Sequence, residues 1–228
     1  MTLIIGIFTK DIHNKKEIIF ASDGLALSYK NNKKIGQDED AEKIRKLTPK
    51  ICMGYTGKHS KLFEDVYEEL KNNISKKIKR ELKPFTERLQ EIILKMLNTK
   101  KHKEAEKELE RHEQALHKFI AVGLFHGTLT LIRLNSDDNY KISTKEVHVT
   151  FPDYARYVAG STEEIKNEAD KILDKKLEHI QNYDEIKNII RYTISEIAKQ
   201  YPDKINDHIF IRRLSRNFDL EKYRGYEH

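Results

Sequence analysis

The order of its apolar patterns predicts an α+β chain of stacked antiparallel sheets flanked by helices. Short β-branched apolar runs come in pairs joined by turn residues, at 3–9 with 18–22 and at 119–125 with 128–134. Two blocks of helical apolar spacing, about 58–118 and 162–200, each follow a group of strands. The 228 residues contain no internal repeat, low-complexity tract or linker, so one domain over 1–228 is expected.

The first pair, LIIGIFT (3–9) and IIFAS (18–22), makes a hairpin across the polar 10–17. Residues 28–40 are polar and carry Asn, Gly and Asp, the composition of an exposed loop. AEKIRKL (41–47), a Thr48-Pro49 turn and KICMGYT (50–56) predict a second hairpin, closing at Gly57. Leu62, Val66, Leu70 and Ile74 then fall on one helical face. Pro84 is expected as the first residue of a second helix, with Leu89, Ile92, Ile93, Met96 and Leu97 as its stripe. Residues 98–118 are almost wholly charged, with Ala105, Leu109 and Leu116 as a thin seam. They read as a charged helical extension, either solvated or partner-seeking. Strands resume at 119–125 and 128–134, joined by a tight turn at His126-Gly127, and continue at 144–149 and 156–160. Helices follow at 162–178 and 184–200, the second with Ile186, Ile190, Thr193, Ile194 and Ile197 on one face. A last strand is expected at 207–214.

Lys plus Arg number 43 and Asp plus Glu 37, a net charge of +6 in a chain that is 35% charged. Both signs are interspersed, the pattern of solvated helix faces, which argues against a nucleic-acid partner. The single cysteine, Cys52, excludes an intramolecular disulfide and a Cys-rich metal site, and it reads as a small buried hydrophobe. The ten histidines show no HExxH or paired-ligand spacing, so no metal or cofactor is expected. No apolar run approaches the ~20 residues of a membrane span. The start lacks the basic region and cleavage site of a signal peptide, so a soluble, cytoplasmic protein is the expectation.

Thr2 directly follows Met1, and its small side chain favours Met removal. A free N-terminal threonine is a nucleophile and base in one residue. Its hydroxyl attacks, and its α-amine, with an ordinary pKa of roughly 7.7–8, takes the proton. Such a site needs a cation to lower the amine's proton affinity, a carboxylate to hold the cation, and backbone N–H groups for the oxyanion. Alone, Thr2 reads foremost as an ordinary strand start.

TLIIGI (2–7), FASD (20–23), AEKIRKL (41–47), CMGYTG (52–57), FIAVGLFHGTLTLIRLN (119–135) and VAGST (158–162) stand in an order and spacing that resembles a proteasome β-type subunit. That family consists of N-terminal nucleophile (Ntn) hydrolases, and the likeness runs over about 2–214, nearest to HslV-, Anbu- and connectase-type relatives. The resemblance implies a four-layer αββα sandwich, with an enlarged helical block at about 58–118. It implies Thr2 as nucleophile and base, Asp23 orienting Lys43 and the N-terminus, and Lys43 lowering the amine's proton affinity. It further implies the Gly57 N–H as an oxyanion donor and Ser161 as a hydrogen-bond partner of the amine. Ser161 also reads as a helix N-cap, with Glu164 three residues on. Ala41, Arg45 and Tyr55 match positions that shape the family's specificity pocket. A cationic, aromatic pocket suits acidic or polar side chains.

Two departures stand out. Thr162 occupies the place of a family glycine, and KQYPDKIND (199–207) lacks the family's Asp and second Ser, with Asp203 the nearest acid. The implied activity is a threonine-type peptidase or amidase acting on peptides or unfolded proteins. The implied assembly is a homo-oligomeric ring or split ring, with any ATPase or cap partner left open. The alternatives are a peptide ligase using the same acyl-enzyme, and a catalytically silent assembly subunit.

Overall fold

Alternation along the first strand, β1 (Leu3–Lys10), sets the layering. Leu3, Ile5 and Ile7 enter one core, while Ile4 and Phe8 enter another on the opposite face. A strand that is apolar at every position belongs to a sheet covered on both sides. The computed structural model describes residues 2–10, 16–30, 33–38, 40–57, 60–73, 75, 81–104, 117–149, 153–160, 162–177 and 182–215.

β1 pairs antiparallel with β2 (Lys16–Asp23) and with β10 (Tyr154–Gly160), and β2 pairs with β11 (Ile209–Ser215). The sheet order is β10-β1-β2-β11. A second antiparallel sheet runs β5 (Ile44–Thr48), β6 (Ile51–Thr56), β7 (Lys118–Phe125), β8 (Thr128–Asn135) and β9 (Ser143–Val147) in chain order. The two sheets stack on a core that includes Phe8, Phe20, Ile44, Cys52, Ile120 and Val122. At Gly54 they approach so closely that a Cβ would stand 3.0 Å from both Ile4 and Phe20.

Helices α1 (Ser60–Asn73) and α2 (Leu82–Leu97) cover the outer face of the five-stranded sheet, burying Leu62, Val66, Leu70, Phe85, Leu89, Ile92 and Ile93. Helices α3 (Glu163–Lys176) and α4 (Tyr183–Gln200) cover the other sheet through Ile165, Ala169, Leu173 and the predicted isoleucine face of α4. Three cores separate four layers, so the α+β, αββα sandwich is observed. Among the described residues no helix is long and apolar enough to cross a membrane.

Several expectations need correction. The polar stretch 28–40 is not a plain loop. There β3 (Ala26–Lys30), which begins two residues before that stretch, pairs with β4 (Lys33–Asp38), with a bulge between Ser28 and Tyr29. A polar two-stranded ribbon lacks the apolar alternation that marks strands in sequence. Pro84 is the third residue of α2, not the first. It still lies in the first turn, where its missing N–H has no intrahelical partner to lose.

The charged extension does not run through to 118. Residues 100–104 are helical, 105–116 lie outside the described residues, and Lys118 already begins β7. His102 is buried and hydrogen-bonded to Asp65 of α1 at 3.1 Å, and Lys101 reaches the same carboxylate at 2.6 Å. The start of this segment is therefore docked on α1. The cap of α3 is Thr162, whose hydroxyl accepts from the Ile165 N–H at 3.3 Å, and not Ser161. The predicted turn at His126-Gly127 is present, with φ of 48° and 80°.

Candidate active site

The start of β1 lies between the ends of its two neighbours. The register pairs Leu3 with Gly160 of β10 and Ile4 with Ser22 of β2, which brings Thr2 and Asp23 to the same edge. Thr2 is buried, 3% exposed. Asp23 closes β2 and is fully buried. Its Oδ1 accepts the Leu3 N–H at 2.7 Å, and its Oδ2 accepts the Leu25 N–H at 3.1 Å. One carboxylate thus fixes the backbone directly after Thr2 and the turn that leaves β2.

The Lys43 ammonium donates to Asp23 Oδ2 at 2.8 Å and is itself buried. Lys43 was expected inside the strand 41–47, but β5 begins only at Ile44. Freed from the strand's alternation, Lys43 turns inward to its buried partner, while the Lys43 carbonyl accepts the Tyr55 N–H at 3.1 Å. Burial pushes the Lys43 ammonium below the ordinary lysine range, against the opposing pull of Asp23. Burial raises the Asp23 carboxyl, against Lys43 and the two backbone donors. A cation with weakened proton affinity, held rigidly beside the Thr2–Leu3 peptide, can pass charge or a proton to a neighbouring group.

Contacts from β11 and the loop before it anchor this corner. The Gly24 N–H donates to Asn206 Oδ1 at 2.9 Å, and the Ala41 N–H to the Gly24 carbonyl at 2.8 Å. His208 bonds Asp40 at 2.9 Å, and Arg212 pairs with Glu42. Asn206 had no signal in the sequence beyond a polar loop residue near Pro202. Asp203, the acid singled out there, lies exposed in the turn at 202–204.

Gly57 follows β6 with φ +152°, a backbone conformation that strains any L side chain. A Cβ there would stand 2.7 Å from the Tyr55 hydroxyl and 2.9 Å from His117 Nδ1. Tyr55 is buried in the helix-side core, stacked on Phe63 with ring centroids 5.7 Å apart. The Arg45 guanidinium is 5.9 Å from the centroid of the same Phe63 ring and 5.4 Å from that of Tyr67. Ala41 is half-buried beside Gly24. The structure therefore brings Thr2, Asp23 and Lys43 together. Tyr55 is linked to Lys43 through its backbone N–H, while the Tyr55 and Arg45 side chains face the aromatic rings of α1 and Gly57 adjoins Tyr55 and His117. Ser161 lies outside the described residues, although its neighbour Gly160 pairs with Leu3.

Two stacked antiparallel sheets between helix pairs, with a buried acid–lysine pair beside the start of β1, define a four-layer αββα sandwich as the fold class. Crystallographic eukaryotic HslV from Trypanosoma brucei is similar over 94% of this chain and 99% of that chain, with a TM-score of 0.52 and 13% sequence identity. At that identity the likeness shows the fold alone. No family model matches the sequence, and no curated protein matches it.

Proposed function

We propose that the chain is a threonine-type amidase or peptidase that acts through an ester on Thr2 once Met1 is removed. The observation that carries this is the buried Asp23, which joins the Lys43 ammonium to the Leu3 N–H directly beside Thr2. A buried ion pair is costly to maintain for stability alone, and a hydrophobic pair of similar volume is often neutral or better. Placed against the Thr2–Leu3 peptide, it fits a task at Thr2.

In the proposed cycle the Thr2 Oγ attacks the substrate carbonyl while the α-amine takes the hydroxyl proton. Lys43 keeps that amine largely unprotonated by its charge. The Gly57 N–H receives the developing oxyanion. The C–N bond then breaks, the amine returns its proton to the departing nitrogen, and an ester remains on Thr2. Water hydrolyses the ester, and its proton passes by the same amine. A peptide amine in place of water would give a ligase with unchanged first steps. Of the specificity positions that the resemblance implies, Arg45 is a partly exposed cation, which favours acidic or polar side chains over large aliphatic ones, whereas Tyr55 is buried in the helix-side core. The resemblance of the sequence to proteasome β-type subunits extends the proposal to a homo-oligomeric ring or split ring.

A fluorogenic peptide panel tests this. Turnover that prefers acidic or polar residues and vanishes in Thr2→Ala is expected, and a competing peptide amine separates hydrolysis from ligation. Turnover unchanged in Thr2→Ala would refute the assignment.

A further inference from the structure

Next to Gly57 lies a second polar pair that the scheme above does not use. The Tyr55 hydroxyl and His117 Nδ1 share a hydrogen bond of 2.5 Å, and both residues are buried. His117 immediately precedes β7 and is locked from both sides of its backbone. Its N–H donates to Ser136 Oγ at 2.9 Å, and its carbonyl accepts the Ser136 N–H at 2.9 Å. Tyr55 is fixed by its stack on Phe63, by an edge contact with Phe119 at 5.1 Å, and by its own N–H on the Lys43 carbonyl. The two polar atoms fill the space where a side chain on Gly57 would begin.

Burying a phenol and an imidazole is expensive unless each satisfies the other, so the pair has one preferred geometry. That geometry forms a rigid wall against the one residue in this strand end whose φ is free to swing.

We propose that Tyr55 and His117 are positioning residues that hold the Gly57 peptide so that its N–H points at the oxyanion of the substrate. This inference rests on the catalytic reading of Thr2. It assigns the pair no proton transfer and no contact with the reacting atoms. Because the wall is polar, the 2.5 Å bond helps to hold its shape. Loss of either partner lets the Gly57 peptide rotate, and misplacing an oxyanion donor costs rate far more than it costs binding.

The test compares two probes carrying the same peptide sequence. A peptidyl ester acylates Thr2 through a tetrahedral oxyanion. A peptidyl vinyl sulfone instead alkylates Thr2: an Oγ–C bond forms at its β-carbon, the C=C π bond breaks, the hydroxyl proton ends on the α-carbon, and no tetrahedral alkoxide forms. The ratio of the two labelling rates cancels any change in substrate binding. Tyr55→Phe and His117→Leu should lower that ratio about 10- to 100-fold. His117→Asn, which returns a polar atom near the place of Nδ1, should recover it to within about threefold. A ratio unchanged in all three variants, or equal loss with both probes, would overturn the proposal. If the parent protein reacts with neither probe, the catalytic reading fails, and this inference with it. Parent labelling with an unchanged ratio removes the positioning role alone.

Discussion

Replacing Asp23 with Asn keeps the volume of the side chain and removes its charge. The carboxylate accepts from the Leu3 N–H, the Leu25 N–H and the Lys43 ammonium at 2.7, 3.1 and 2.8 Å. An asparagine has one acceptor oxygen, and its amide nitrogen can only donate. Its nitrogen must therefore face either the ammonium or a backbone N–H, and the buried Lys43 loses the negative charge of Asp23. Breaking a buried pair in this way costs about 3–5 kcal/mol, a large share of the roughly 5–15 kcal/mol that holds a domain together.

The pH dependence has a defined sign. Asp23 raises the proton affinity of Lys43, while burial lowers it. Without Asp23 the folded lysine binds protons still more weakly than the unfolded one. The unfolded state then carries the extra proton, so stability of Asp23→Asn should rise with pH toward the ordinary lysine value of 10.5. Urea denaturation of the parent, Asp23→Asn, Lys43→Met and the double variant forms a cycle, with an expected coupling of about 2–3 kcal/mol. The double variant should be more stable than Asp23→Asn alone. A loss below about 1 kcal/mol for Asp23→Asn, or an additive cycle, would refute the view of a desolvated, mutually dependent pair.

Two further outcomes follow from the layers around the site. Burial pushes the Cys52 thiol from 9.0 up to about 12. The unfolded chain therefore gives up this proton first, and the stabilisation present below pH 9 is lost as pH rises. At pH 10 the loss is about 1.4 kcal/mol relative to neutral pH. Cys52→Ala should lack that component in paired denaturation curves, and the parent thiol should resist thiol reagents until unfolding. Thr162→Ala removes the hydroxyl that caps α3 and should cost about 1 kcal/mol in the same assay. No loss there would mean that the cap contributes nothing at this junction.

The sandwich was legible because its signal is periodic. Doubly apolar strands such as 3–8 and helix stripes such as Ile186, Ile190, Ile194 and Ile197 describe surfaces that must be covered, and the structure covers them as the patterns require. Asp23 was legible for the opposite reason, as a charge at the end of an apolar run. Lys43 was legible only through resemblance, since its local pattern placed it on a strand surface. A partner 20 residues away, not its neighbours, turns it inward.

The same limit hid Asn206, 182 residues from the Gly24 N–H it accepts, and His117, 62 residues from Tyr55. Single polar residues leave no periodic trace. The β3–β4 ribbon was missed because its sequence is polar and lacks the apolar alternation that marks a strand. The shift of the α3 cap from Ser161 to Thr162 lies within the one-residue ambiguity of adjacent hydroxyls, each followed by an acid in the first turn.

The central claim concerns one residue and one bond. Intact-mass measurement of the purified protein, before and after a β-lactone probe, addresses both together. The expected result is loss of the Met1 mass, followed by a single added acyl group that peptide mapping places on Thr2 and that Thr2→Ala abolishes. A chain that retains Met1 and takes up no acyl group would contradict the account.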